Sequence, residues 1–204
     1  MGIAGIPWWT TDIGGFFGAN INDPEFHELL VRWFEYGCFC PVMRLHGYRW
    51  PLQPQYGTTG GATCVSGAPN EVWSYTDQVC EILSDYLRLR ERMLPYITEL
   101  MEEAHEKGTP VMRPLFYDFP EDKESWNVET EYMFGPKVLV KPITDADARE
   151  TDVYLPGGAS WTNAWTGETF EGGQKVHVAA PIEQIPLLSL IHISEPTRPE
   201  PISY

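Results

Sequence analysis

The chain has 204 residues, 43% of them apolar, enough to bury a core in one large domain or two small ones. Its formal net charge of −15 offers no basic face for phosphates, which argues against nucleic acid as a partner, and no run of about 18 apolar residues suggests a membrane partner. Eight tryptophans in an aromatic content of 13% suit a surface that stacks on neutral hydroxylated molecules; the bland alternative is an acidic solvated shell over an aromatic core.

Residues 3–9, IAGIPWW, form an apolar run that ends at Thr10, Thr11 and Asp12. Apolar residues at consecutive positions suit a strand covered on both faces, as in a parallel sheet. The run starts directly after Met1 with no signal-peptide pattern, so Met1 reads as an internal methionine. Past Gly14 and Gly15, Asp23-Pro24 offers an N-cap followed by a proline at the first helical position. Phe26, Leu29, Leu30, Trp33 and Phe34 then recur at helical spacing up to Gly37, a C-cap candidate. Phe39 to Met43 is a second short apolar stretch, ending at the sequence RLHG, residues 44–47. Strand, helix and strand in that order make a βαβ unit, whose functional groups sit where strands end and loops begin.

Residues 48–73 read as irregular, rich in Gly, Pro, Gln and aromatics, and too long for a simple connector. The helical period returns over 75–106, through Val79, Ile82, Leu83, Tyr86, Ile97, Leu100 and Ala104. Pro95 should kink or split this helix, and Gly108 and Pro110 should stop it. From Val111 the pattern changes to short β-type runs, VMRPLFYDF, YMFGPKVLVKPI, TDVYLP, SWTNAW and QKVHVAA, divided by turn residues. These predict an antiparallel sheet or sandwich, with a domain boundary near residue 110. The final stretch, SLIHISEPTRPEPISY, is Pro-rich and polar and is assigned outside the core.

Of the four cysteines, Cys38 and Cys40 would put two thiols on one side of a strand, which is not the usual zinc spacing. With Cys64 and Cys80 they read as buried free thiols rather than a disulfide framework. No metal and no cofactor is expected.

Asp12 and His46 stand at the ends of successive predicted strands. Neighbouring parallel strands lie about 4.8 Å apart, so groups at equal height can meet across one ligand. A carboxylate accepting hydroxyls and an imidazole offering an N–H can hold a sugar ring, with Phe16 or Trp9 against its flat side. The ordinary readings are a turn carboxylate for Asp12 and a core histidine for His46. Arg44 reads as a salt-bridge partner before a ligand contact.

Taken in order, GIPWWTTDIGGFFG, ELLVRWFEYGCFCPVMRLHG, YLRLRERMLPYITELMEEAHEKGTPVMRPLFYDFP and the later runs EYMFGPKVLVKPI and VYLPGGASWTNAWTGETFEGGQKVHVAAPIEQIP resemble glycoside hydrolase family 31. The resemblance covers residues 2 to about 187. It implies an α/β plus β fold: the terminal segment (strands 7–8 and helices) of a (β/α)8 TIM barrel, then an antiparallel β-sandwich-like domain. Residues 3–12 correspond to the seventh strand and 38–46 to the eighth. The implied division is 1–110 for the barrel part, 111–187 for the proximal C-terminal β-domain, and 188–204 as a tail. That tail departs from the family's R-x-G-S-I pattern and resembles translated sequencing read-through.

The resemblance further implies a retaining α-glycosidase that removes terminal α-linked xylose or glucose from oligosaccharides. Such enzymes use two carboxyl groups about 5 to 5.5 Å apart, one as nucleophile and one as acid/base. Both are expected upstream of Met1, so no catalytic residue is assigned to this chain. Asp12, Phe16 and His46 match the family's sugar-binding positions at subsite −1. The wording WWTTDIGGF leans toward the α-xylosidases of the family. The reading from another class is a non-catalytic carbohydrate-binding or interaction module.

Overall fold

The computed structural model describes residues 1–53 and 66–190. The first helix, α1 (Pro24–Cys38), starts as its sequence dictates: the Asp23 carboxylate accepts from the Glu25 N–H at 3.0 Å. Gly37 lies inside this helix and does not cap it; the C-cap is Phe39. A Cβ at Gly37 would come within 2.5 Å of Ile13 Cδ1, so the bare backbone is what lets α1 lie against the segment that precedes it. The long periodic stretch is split into α2 (Asp77–Arg92) and α3 (Leu94–Lys107). Pro95 sits in the first turn of α3, where its missing N–H breaks the ladder that would have continued α2. Gly108 then takes a left-handed φ of 71° and closes α3.

The two predicted barrel strands differ from expectation. Gly2–Ala4 is a 3-10 turn, Ile3, Ile6 and Trp8 are exposed, and residues 39–43 turn where a strand was expected. The strands form instead at β1 (Phe17–Asn20) and β2 (Tyr48–Gln53), which pair in parallel, with β3 (Ser66–Ala68) antiparallel to β2. The two upstream segments nonetheless run side by side. Val42 N–H donates to Trp9 O and Ile13 N–H to Arg44 O, both at 3.2 Å, and Ile13 bridges Leu45 in parallel. A buried parallel strand is held by ladders on both sides. Within 3–12 one backbone hydrogen bond, from Val42 N–H to Trp9 O, joins the neighbouring segment among the described residues, too few to make a regular strand.

Beyond Gly108 the chain forms β4 (Met112–Arg113), β5 (Tyr132–Phe134), β6 (Val138–Val140), β7 (Glu150–Leu155), β8 (Ser160–Asn163), β9 (Thr169–Glu171), β10 (Gln174–Ala179) and β11 (Leu187–Ser189). Six of these make one antiparallel sheet in the order β4-β5-β6-β11-β8-β9, and β7 pairs with β10 in a second. The run VMRPLFYDF is a strand only at its start; after Pro114 it becomes the short helix α4 (Leu115–Asp118). Leu115, Met133, Leu139, Leu155, Trp161 and Leu188 fill the core between the two sheets. Residues 187–189, where the sequence reading ends the domain, form β11 in the middle of the larger sheet. Of the expected read-through tail, 188–204, Leu188 and Ser189 lie in β11, and residues 191–204 lie outside the described residues.

The helices and the β-domain share a core: Leu30 and Phe34 of α1, Leu83 of α2 and Ile97 of α3 belong to one cluster with Phe134, Val138 and Leu187. Within it lies a buried polar joint. Arg32 donates to Glu35 Oε2 at 3.0 Å and to the carbonyls of Ala148 at 3.0 Å, Ala180 at 2.6 Å and Pro181 at 3.1 Å. The Tyr86 hydroxyl lies 3.1 Å from Glu35 Oε1 and accepts from the Ile185 N–H at 2.9 Å. Burial pushes the Glu35 carboxyl up to about 8, outweighing the opposing pull of Arg32. Because this folded-state value lies above the ordinary carboxylate range, the stability it contributes is fully present below about pH 4. That contribution is lost as pH rises through about 8. Thermal melts from about pH 6 to about pH 9 should therefore show a falling Tm that Glu35→Gln flattens; an equal fall in the variant would assign the effect to other groups.

Candidate functional site

The site grows from the turn that follows Asp12. Gly15 N–H donates to Asp12 O at 2.8 Å, and Gly14 and Gly15 take left-handed φ values of 80° and 79°. Ile13, fully buried against α1, anchors the turn, while Asp12 and Phe16 are left on its open side. Arg44, half exposed, donates to the Asp12 carboxylate. The Phe16 ring lies 5.3 Å from the His46 ring at a tilt of 43°. His46 is exposed, and neither of its ring nitrogens bonds to a described residue. The structure thus pairs Asp12 with Arg44 and Phe16 with His46.

Trp9 is placed elsewhere. Side chains alternate along an extended segment, and Trp9, Thr11 and Ile13 all face α1. Trp9 packs against Tyr36 with ring centroids 6.4 Å apart, and Thr11 Oγ1 accepts from Trp33 Nε1 at 3.0 Å. Trp9 also lines a cavity of about 1040 Å³ between α1 and the β-domain, away from Asp12 and His46.

Three residues that the sequence reading passed over hold this turn in place. Arg49 of β2, 0% exposed, donates to Gly15 O at 2.9 Å and to Ile13 O at 3.2 Å, with its guanidinium over the Phe26 ring. A Cβ on Gly14 would meet that guanidinium, so glycine is required there for contact as well as for φ. Asn70 donates to Gly47 O at 3.4 Å and accepts from the Tyr75 hydroxyl at 2.6 Å. The available signal was the alternation in YRW, which buries Arg49 between two partly exposed aromatics once 48–53 is recognised as a strand.

The cysteines play no part in this site. Cys38 ends α1 and does not lie on a strand; Cys38 and Cys40 are free and buried, and burial pushes both thiols up to about 12. Cys64 lies outside the described residues. Among the described residues no group of three His, Cys, Asp or Glu is arranged to hold a metal ion. A carboxylate held by a guanidinium, an open imidazole and an exposed ring can grip a hydroxylated ring by hydrogen bonds and stacking.

Comparison with known proteins gives the same family twice. Residues 1–100 match the glycosyl hydrolases family 31 TIM-barrel domain, and residues 108–189 match the glycosyl hydrolase family 31 C-terminal domain. The chain belongs to glycoside hydrolase family 31. The alpha-xylosidase of Saccharolobus solfataricus is 38% identical, the match covering 91% of this chain and 23% of that protein. Alpha-xylosidase A of Aspergillus niger is 37% identical, over 91% of this chain and 27% of the relative. The crystal structure of a GH31 alpha-xylosidase from a soil metagenome, complexed with xylose, superposes with a TM-score of 0.88 at 52% identity. That match covers 93% of this chain and 28% of the other, so this family 31 chain spans about a quarter of the length of the relatives it matches. Its architecture is the corresponding part of the family's TIM barrel joined to its C-terminal β-sheet domain.

In this family 31 chain the Phe16–His46 contact depends on Gly47, whose φ is 110° and whose added Cβ would overlap the Phe16 carbonyl oxygen. Gly47→Ala should cost about 1–3 kcal/mol and separate the two rings. Denaturant unfolding, with the ring-proton shifts of His46 as a local probe, measures both effects.

Proposed function

We propose that this chain is part of a retaining α-glycosidase releasing terminal α-linked xylose or glucose from oligosaccharides. On this reading Asp12 accepts hydroxyls of the terminal sugar, His46 supplies a further hydrogen bond, and Phe16 covers one flank. Arg44 orients the Asp12 carboxylate and limits which of its lone pairs face the sugar. The observations that carry the proposal are the Asp12–Arg44 pair and the Phe16–His46 pair at the ends of neighbouring segments, in a chain 52% identical to an alpha-xylosidase complexed with xylose.

The chemistry of such an enzyme is a double displacement. A carboxylate attacks the anomeric carbon, a second carboxylic acid protonates the departing oxygen, and water then cleaves the glycosyl–enzyme with the second group acting as base. The cluster offers one carboxylate, and it is tied to a guanidinium. The family resemblance assigns Asp12 to binding, in keeping with its pairing to Arg44, and the two reacting carboxyls to other strands of the family's barrel. Binding of this kind accelerates the reaction where it tightens as the sugar flattens toward an oxocarbenium ion.

The test is to recover the full-length gene and assay its product on aryl α-xylosides and aryl α-glucosides side by side. Asp12→Ala and His46→Ala should each lower kcat/KM by about a hundredfold or more, and purified residues 1–204 should show no turnover. Full activity in Asp12→Ala, or turnover by 1–204 alone, overturns the assignment. Sugar binding without turnover in the full-length product would favour the non-catalytic module.

A further inference from the structure

Arg49 occupies a place that is costly for an arginine. It is 0% exposed, and its Nε is buried without a hydrogen-bond partner among the described residues. No carboxylate pairs with it among the described residues, and the segment 54–65, outside them, contains no Asp or Glu. Arginine stays charged in proteins, and a buried charge without a counter-ion lowers stability. A hydrophobic side chain of similar volume would avoid that cost. The partners Arg49 does have are backbone carbonyls, Ile13 O at 3.2 Å, Gly15 O at 2.9 Å and Tyr48 O at 3.2 Å, with the Phe26 ring 5.2 Å from the guanidinium carbon.

Those carbonyls come from both segments of the candidate site. Ile13 and Gly15 lie in the turn between Asp12 and Phe16, and Tyr48 lies two residues beyond His46. One planar guanidinium therefore spans the segment that presents Asp12 and the segment that presents His46. A second link runs beside it. Asn70 donates to Gly47 O at 3.4 Å and accepts from the Tyr75 hydroxyl at 2.6 Å. Burial pushes that hydroxyl up, against the pull of the Arg49 guanidinium beside it. The Tyr75 ring also packs against Phe26, with centroids 6.2 Å apart, so the ring under the guanidinium is itself held.

We infer that Arg49 is a positioning residue for the glycosidic reaction: its fork fixes the Asp12 turn relative to His46, so that both groups follow the terminal sugar as its ring flattens. The inference rests on the sugar-site reading of Asp12 and His46 and adds a residue that never touches the sugar. Ground-state binding tolerates a looser pair of groups, whereas contacts that tighten in the transition state do not. A misplacement of about 1 Å can cost about a hundredfold in rate. The loss of Arg49 therefore falls on kcat and not on KM. Lysine keeps the charge but is a point donor, and it cannot hold Ile13 O and Gly15 O in one plane.

The test uses the full-length enzyme, assayed on aryl α-xylosides and aryl α-glucosides with Asp12→Ala as a parallel arm. Arg49→Lys and Arg49→Met should each lower kcat about ten- to a hundredfold and change KM by no more than about threefold. Tyr75→Phe keeps the ring against Phe26, removes the link to Asn70, and should lower kcat about threefold. Joined with Arg49→Lys, it should cost less than the product of the two single losses, because both act through one network. Thermal melts give the folded fraction at the assay temperature, and each kcat is referred to folded enzyme. If folded Arg49→Lys or Arg49→Met keeps the parental kcat, or changes KM alone, while Asp12→Ala is impaired, the positioning role is overturned and the Asp12 site stands. Should neither Arg49 variant fold, a parental kcat in Tyr75→Phe overturns it in the same way. Full activity in Asp12→Ala sinks the sugar-site reading itself, and the positioning role with it.

Discussion

The structure turns on the guanidinium of Arg32. Buried at the joint, it reaches from α1 to Glu35 of its own helix and to carbonyls of the β-domain at Ala148, Ala180 and Pro181. With its carboxyl pushed up to about 8 by burial, Glu35 serves Arg32 chiefly as a hydrogen-bond acceptor. Losing the guanidinium is another matter, since it leaves the carbonyls of Ala148, Ala180 and Pro181 without the donor they share. What Arg32 supplies is orientation. The hydrophobic cluster shared by α1, α2, α3 and the larger sheet could tolerate sliding, whereas the directions of these hydrogen bonds cannot.

That orientation reaches the site through short links. α1 lies against Ile13 because Gly37 has no side chain, and Ile13 fixes the foot of the turn that presents Asp12 and Phe16. From the other end of α1, Arg90 of α2 donates to the carbonyls of Cys38 at 2.7 Å, Cys40 at 2.6 Å and Pro41 at 2.8 Å. It thereby ties down the segment leading to Arg44 and His46. Arg49 completes the arrangement by holding Ile13 O and Gly15 O from β2. Three arginines thus act on backbone carbonyls, where their rigid, permanently charged forks suit several acceptors at once. Arg44 is the exception: its partner is the Asp12 carboxylate, on the open side of the turn.

Much of this was legible in the residues. Asp23-Pro24 marked the start of α1 through capping chemistry that is local, and Pro95 marked the break between α2 and α3 because a missing N–H acts wherever it occurs. The strand alternation of QKVHVA survives intact in β10, whose Val176 and Val178 are buried between exposed neighbours. Arg44 reads from the sequence as a salt-bridge partner, and the structure supplies Asp12 as that partner. What failed was shape that depends on neighbours. The apolar run 3–9 has the composition of a doubly covered strand, yet it lies partly exposed and forms no regular ladder. Residues 48–53 look irregular for their Pro and mixed aromatics, yet they form β2 because β1 and β3 flank them.

By itself, then, the sequence determined what depends on short range: helix starts and stops, the glycine turns, the alternating faces of the β-domain, and the family to which the chain belongs. Only the tertiary structure decided which side of a segment each ring would face. It sent Trp9 to Tyr36 and away from the sugar cluster, made Gly37 a point of contact instead of a cap, and buried Arg49 beneath the turn it supports. These outcomes depend on contacts between residues distant in the chain, and packing, unlike capping or turn chemistry, leaves no signature in the local order of residues.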